Sequence, residues 1–132
     1  MSIRVLAAVI KQAGRVLICR RPTGKRHGDL WEFPGGKIEP HETNFEAASR
    51  ELDEELAVSV TAVGTVAFSI RDPGSDYTIE FIPVKVKGTP RCLEHSELAW
   101  ALDDELLNFG LAPSDQKYAE YRLGTSRFKV ED

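Results

Sequence analysis

Gly36-Lys37-Ile38-Glu39-Pro40-His41-Glu42-Thr43-Asn44-Phe45-Glu46-Ala47-Ala48-Ser49-Arg50-Glu51-Leu52-Asp53-Glu54-Glu55-Leu56-Ala57-Val58 is the stretch that decides how this chain folds. Thr43 and Glu46 form a T-x-x-E capping box, in which the threonine hydroxyl accepts from the first turn and the glutamate reaches back to the cap. A helix therefore begins here. Phe45, Ala48, Leu52 and Leu56 follow at helical spacing and make an apolar stripe that would anchor it. Glu51, Glu54 and Glu55 lie three and four residues apart, so their carboxylates share one face, centred about a third of a turn from that stripe. Like charges so close repel, and gathering them gains nothing unless a cation sits among them. Hard divalent ions such as magnesium take carboxylate oxygens, keep several waters and share themselves with phosphates. The segment reads as a magnesium site built on a helix.

Upstream, Ile3 to Ile10 is a nearly continuous apolar run, consistent with a buried strand. Lys11-Gln12-Ala13-Gly14 reads as a hairpin turn into a second strand, Val16 to Arg20. Arg21 to Asp29 is a polar, basic loop, and Leu30-Trp31-Glu32-Phe33 a short strand stopped by Pro34-Gly35-Gly36. Downstream, Val58 to Ile70 is rich in β-branched residues and predicts one long strand or two short ones. Asp72-Pro73-Gly74-Ser75 is a turn. Tyr77 to Val86 is a further strand in which Pro83 marks an edge or a bulge. Leu98 to Leu102 predicts a last short strand, Asp103 to Leu107 a single helical turn, and Pro113 to Leu123 a second helix opened by its proline. Residues 124–132 form a polar tail expected to fray. Strands interleaved with two helices predict one α/β (α+β) domain over residues 1–132, with a mixed sheet between helices.

The bulk composition excludes several classes. With 132 residues, 42% of them apolar, the chain suits one domain with a real core. A formal net charge of −4 offers no basic field for duplex nucleic acid, but leaves room for a small nucleotide held through metal. Cys19 sits in the apolar run Val16-Leu17-Ile18-Cys19 and reads as a small buried hydrophobe. Two cysteines without metal-ligand spacing fit a reduced, cytoplasmic protein better than a disulfide scaffold. No stretch is long and apolar enough to span a membrane, and no signal-peptide core is visible at the start.

Gly36, five residues, Glu42, seven residues, Arg50-Glu51-Leu52-Asp53-Glu54-Glu55 and the apolar Val58 together resemble the signature of the Nudix hydrolases. One position departs: Ala57 stands where the family usually has glycine, which suggests a slightly different helix exit. The resemblance implies an α/β/α sandwich and hydrolysis of a nucleoside diphosphate derivative with Mg2+, for which Mn2+ is a possible substitute. It implies that Arg50 orients the neighbouring glutamates, a role suited to a planar fork of donors. By resemblance to MutT-type members, the Gly35 carbonyl joins Glu51, Glu54 and Glu55 as a metal ligand. Glu94, in the loop after Pro90, completes the metal site or helps deprotonate water, with Glu97 as its competitor. Glu51, Glu54 or Glu94 would be the base. Glu42 matches the first glutamate of the signature, although a negative charge before a helix cap is favourable anyway.

The same resemblance places Arg21 against substrate phosphate, which an arginine grips with two parallel hydrogen bonds. Arg26 reaches a phosphate from the same loop or is simply a solubility charge, as Lys25 is. Strand 30–37 looks like the one lining the base pocket. Trp31 and Phe33 alternate with Glu32, so at most one of these faces meets a nucleobase, with Phe33 nearer the pocket and Trp31 mainly packing. Asp115 fits the position from which MutT-like proteins read a base edge, and an early-turn helix acid is its plain alternative. Ionised, it would suit an exocyclic amine.

These residues imply hydrolysis of a modified or oxidised nucleoside triphosphate, such as 8-oxo-dGTP, or a cytosine nucleotide, to monophosphate and pyrophosphate. ADP-ribose or dinucleoside polyphosphates are the alternative substrates, and a non-catalytic nucleotide binder is the alternative class. Against the last stands the complete set Arg50, Glu51, Glu54 and Glu55. The absence of an extra N-terminal segment before the first strand suggests a monomer.

Overall fold

Strand β1 (Ile3–Gln12) sends side chains alternately to two faces. Leu6, Ala8 and Ile10 enter one buried cluster, while Ala7 and Val9 enter another. Both faces of the sheet are covered, which is why the run is apolar throughout rather than alternating. Strand β2 (Arg15–Arg20) repeats the arrangement, with Leu17 and Cys19 on the first side and Val16 and Ile18 on the second. A computed structural model of the chain describes residues 2–131, and side chains as far as Gly124.

The remaining elements are β3 (Trp31–Glu32), β4 (Gly35–Lys37), α1 (Asn44–Leu56), β5 (Ser59–Val63), β6 (Phe68–Arg71), β7 (Tyr77–Lys87), β8 (Glu97–Ala101), a 3-10 turn (Leu106–Asn108) and α2 (Pro113–Glu131). The sheet runs β3-β2-β1-β7-β5, with β4 also on β1, β6 on β7 and β8 on β2. β1 and β7 are parallel, from Ile3↔Tyr77 to Ile10↔Val84, and every other pair is antiparallel, so the sheet is mixed. α1 covers the first face through Ala47, Ala48, Leu52 and Leu56, and α2 covers the second through Tyr118 and Ala119. This is the expected α/β/α sandwich. Along one side of β1, β4 pairs with the first half (Leu6↔Gly36) and β2 with the second (Lys11↔Val16). The sheet divides between them, and the cleft described below is lined from that division.

Several elements differ from expectation for identifiable reasons. Pro34-Gly35-Gly36 does not stop the chain: Gly35 starts β4 with φ 153°, and a Cβ there would run into the Leu6 carbonyl. Val58 to Ile70 resolves into two strands, β5 and β6. Pro83 lies on neither an edge nor a bulge of its own strand. It sits within β7 at the break between β5 and β6, where its carbonyl accepts from Gly64 N at 2.8 Å. Its missing N–H faces the same break and costs no ladder bond. The 3-10 turn begins at Leu106, three residues later than the predicted Asp103, and β8 begins one residue before the predicted Leu98. α2 continues to Glu131 instead of ending at Leu123, and the expected fraying of the tail concerns side chains outside the described residues.

In α1 the capping box is present as read: Glu46 N donates to Thr43 Oγ1 and Thr43 N to Glu46 Oε1. Phe45, however, is 42% exposed, and Ala47 and Glu55 are buried in its stead. The anchoring face is thus rotated towards the glutamates, and takes Glu55 into the interior. Ala57 adopts the left-handed conformation that glycine usually supplies (φ 57°, ψ 40°), donating its N–H to Asp53. The helix exit is the glycine-type one after all, held by a residue with a Cβ.

Candidate active site

The helix α1 carries Glu51 and Glu55, one turn apart, towards a cleft of about 540 Å³. Gly35 of β4, Glu32 of β3, Arg21 and Lys25 of the loop after β2, and Glu94 and His95 of the loop before β8 complete its wall. Glu54 is exposed and does not line that cleft, whereas Glu51 and Glu55 do. The difference follows from the rotation of the helix: the i and i+4 positions face the cleft, and i+3 turns past it.

Arg50 fixes the glutamates as a fork. Its Nε donates to Glu42 Oε2 at 2.8 Å, one terminal nitrogen to Glu42 Oε1 at 2.7 Å and the other to Glu51 Oε1 at 2.6 Å. A further bond of 3.0 Å to the Lys37 carbonyl ties the fork to β4. Glu42 is held low by this contact, near a pKa of about 2, with the Glu39 N–H as a second cause. The Glu51 carboxylate packs directly over Gly36, where a Cβ would overlap it. This is a concrete demand for glycine: the backbone must come close to an anionic group.

Glu55 is only 4% exposed. Burial first, then its neighbour Glu51, push its carboxyl well above the usual carboxylate range, opposed by the Gly35 N–H at 3.4 Å. Its other near neighbour is His95. The His95 side chain is 6% exposed, with Nε2 at 3.0 Å from Glu32 Oε2 and Nδ1 at 3.9 Å from Glu55 Oε1. Nδ1 is buried and has no hydrogen-bond partner among the described residues.

These features suit a hard divalent cation. Glu51, half-buried and paired with Arg50, and the buried Glu55 form an oxygen-rich wall beside the Gly35 backbone. An orphaned ring nitrogen beside a buried carboxylate further marks incomplete local pairing. Among the described residues no three His, Cys, Asp or Glu side chains form a ready ligand cage. Magnesium does not need one, since it keeps waters and takes one or two carboxylates together with substrate phosphates. Glu94 is exposed at the rim, while its competitor Glu97 is engaged by Arg20 at 2.8 Å and does not line the cleft.

A second, smaller cavity of about 200 Å³ adjoins the first, sharing Arg21 and Glu32. Arg26, His27, Asp72, Tyr77, Ser114 and Asp115 line the rest of its polar wall. Arg21 donates to both Glu32 oxygens at 3.1 and 3.3 Å and to the Arg26 carbonyl at 2.6 Å, so it is seated between the two cavities. Asp115 is 8% exposed and accepts from Phe33 N at 2.9 Å. Burial raises its pKa to about 8, partly opposed by that hydrogen bond, with Glu32 and Asp72 adding smaller upward pushes. A pKa raised this far favours the protonated form, which donates as well as accepts, over the ionised form that would suit an exocyclic amine. Ser114 Oγ donates to Asp72 at 2.9 Å, and Arg26 stands 3.8 Å from the same carboxylate.

Phe33 is placed differently from expectation. Its ring is 3% exposed and packs edge-on against Phe81 and Tyr118 in the second core, so only its N–H serves the site, by holding Asp115. Trp31 packs, as expected, against Phe109. Lys25, read as a solubility charge, lines the large cleft. Cys19 is buried, and burial raises its thiol pKa far up, with Glu55 and Glu32 adding to it, so it is no nucleophile. Sequence reasoning missed His95, Asp72 and Ser114. A lone histidine after Glu94 carries no spacing signal, and Asp72 had a sufficient explanation as a turn residue.

A model of the NUDIX domain matches residues 2–121. The chain belongs to the Nudix hydrolase family. It is 39% identical over 116 residues to the CTP pyrophosphohydrolase of Escherichia coli K12, covering 86% of this chain and 85% of that protein. It is 40% identical over 75 residues to the 8-oxo-dGTP diphosphatase of Proteus vulgaris, covering 54% of this chain and 67% of that one. The solution structure of the Escherichia coli ORF135 protein superposes with a TM-score of 0.82 at 34% identity, over 99% of this chain and 95% of that one. Within the family the chain falls among the MutT-like hydrolases of pyrophosphate bonds. Among the described residues, no helix is long and apolar enough to cross a membrane.

Proposed function

We propose that this Nudix hydrolase cleaves a nucleoside triphosphate to the monophosphate and pyrophosphate, taking the phosphates in the larger cleft and the base in the smaller cavity. The observation that carries the reading is the junction: Arg21 and Glu32 line both spaces, so one elongated ligand would lie across them. Glu51, Glu55 and the Gly35 carbonyl would hold the Mg2+, with Glu94 closing the rim. The ion, when bound, supplies charge neutralisation on the phosphates and an activated water. Arg50 keeps Glu51 in place. Arg21 meets phosphate charge as it develops on the leaving group. The proton released by the attacking water goes to Glu51 or Glu94; among the described residues Glu94 has no ion pair or side-chain hydrogen bond, whereas Glu51 is held by Arg50. No covalent intermediate is required.

A neutral Asp115 presents a hydroxyl donor to the base while its other oxygen stays on Phe33 N–H. A carbonyl oxygen or unprotonated ring nitrogen on the base edge is the matching group, which cytosine and oxidised guanine both offer. The names of the two relatives point to the same pair of bases. Pyrophosphate release should be measured in Mg2+ across canonical, oxidised and methylated triphosphates, with ADP-ribose and a dinucleoside polyphosphate followed by product analysis. A preference for one triphosphate, with monophosphate and pyrophosphate as products, is the expected result. Turnover confined to ADP-ribose or dinucleotides would overturn the substrate class while leaving the family intact.

A further inference from the structure

We propose that His95 is a positioning residue of the cleft, a strut whose ring is seated on Glu32 and stands against Glu55, limiting where that side chain can turn when a divalent cation meets it. In the loop between β7 and β8, Arg91 to Glu94 and Ser96 are exposed, while the His95 side chain is turned inward. The loop itself is tied by its backbone to both neighbours of the cleft. Arg91 N and Leu93 N donate to the carbonyls of Leu56 and Glu55 at 2.9 and 3.1 Å, and Ser96 N donates to Arg20 O at 3.0 Å. His95 therefore has a fixed base from which to act.

Its outer end is fixed as well. Nε2 meets Glu32 at 3.0 Å, and Glu32 is in turn gripped by Arg21. The inner end, Nδ1, faces Glu55 at 3.9 Å and has no hydrogen-bond partner among the described residues. On its other sides Glu55 meets Glu51, its side-chain hydrogen-bond partner and itself a proposed ligand, and the Gly35 N–H at a long 3.4 Å. The hydrogen bond to Glu51 is given up when both groups turn to a cation, so the Glu55 side chain then needs another wall to limit its torsions, and a metal site loses affinity when its ligands are not pre-set. Removing the partner that orients a metal-binding group typically costs about 10–100-fold in metal affinity or activity. Because the ring also seats the residue next to Glu94, the strut joins the phosphate-side pair Arg21–Glu32 to the metal-side carboxylates. This inference rests on the metal reading given above.

The test uses Mn2+ as probe, with free ion read by electron paramagnetic resonance in the absence of nucleotide, alongside kcat and KM for the best triphosphate. His95→Ala should weaken Mn2+ binding about tenfold and lower kcat 10–100-fold, with KM changed less than about threefold. His95→Asn, whose amide nitrogen can stand near the place of Nδ1, should restore Mn2+ affinity to within about threefold of wild type. A folded His95→Ala protein that binds Mn2+ as wild type does would overturn the proposal. If the alanine variant does not fold, His95→Asn and His95→Gln decide: tighter Mn2+ binding by Asn supports the strut, and equal binding sinks it. Wild-type protein that binds no Mn2+ would instead remove the metal reading itself.

Discussion

At one end of the cleft, Gly35, Glu51 and Glu55 come from a single turn-and-helix segment. At the other, Arg26, Asp72 and Asp115 come from three stretches far apart in the chain. The metal end depends on spacing within a helix, which is local and regular. The base end depends on where β3 and the start of α2 meet, through Trp31 N–H on Gly110 O and Ala112 N–H on Trp31 O, both at 2.8 Å. A change at the metal end should therefore act on every substrate alike, and a change at the base end on some substrates more than others.

The largest expected effect breaks the metal end. Glu51→Gln and Glu55→Gln should each lower kcat by about 100-fold or more, since each removes a charge that a cation or a proton transfer needs. Glu54→Gln, outside the cleft wall, should cost at least about tenfold less. Steady-state kinetics on purified variants would check this, and equal losses at all three positions would mean that the exposed side of α1 takes part. Metal affinity at this end should also rise with pH, because burial and Glu51 raise the Glu55 pKa and its proton must leave before a cation binds. Mn2+ titrations at several pH values would show it, and a flat profile would count against Glu55 as a ligand.

At the base end, Asp115→Asn should keep more activity than Asp115→Ala, because an amide retains both donor and acceptor as a neutral carboxyl does. The pH dependence has a definite sign. The folded pKa of about 8 lies above the unfolded value of about 4. The folded protein therefore holds the proton more tightly, and the stability this provides is fully present below pH ~4 and is lost as pH rises to about 8. Asp115→Asn should flatten that part of the curve, as denaturant unfolding at a series of pH values would reveal. An unchanged curve would mean that Asp115 is ionised in the fold.

How much of this was legible follows the same division. The capping box at Thr43, the helix, the strands and the sandwich were readable because each is a local pattern, and Arg50 was readable as a fork. Phe45 was misread because a stripe fixes a helix's period but leaves open which side of the stripe turns inward, and here Ala47 and Glu55 did. The raised pKa of Asp115 was not legible, since it depends on burial by residues distant in sequence. His95 was invisible for the same reason: its partners Glu32 and Glu55 are far away along the chain.

The smallest effect concerns the C-terminal end of α1, away from both cleft linings. Ala57 carries a left-handed conformation at some cost to a residue with a Cβ, and Ala57→Gly should stabilise the fold by about 1 kcal/mol without altering kinetics. Thermal unfolding would register the gain, and a loss of stability would show that the Ala57 methyl has a packing role.

The most direct test of the two-ended cleft is a kcat/KM panel over several triphosphates for wild type, Glu55→Gln and Asp115→Ala. The account predicts that Glu55→Gln lowers every substrate by a similar factor and keeps their order, while Asp115→Ala changes the order. Reordering by Glu55→Gln, or a uniform loss in Asp115→Ala, would contradict it.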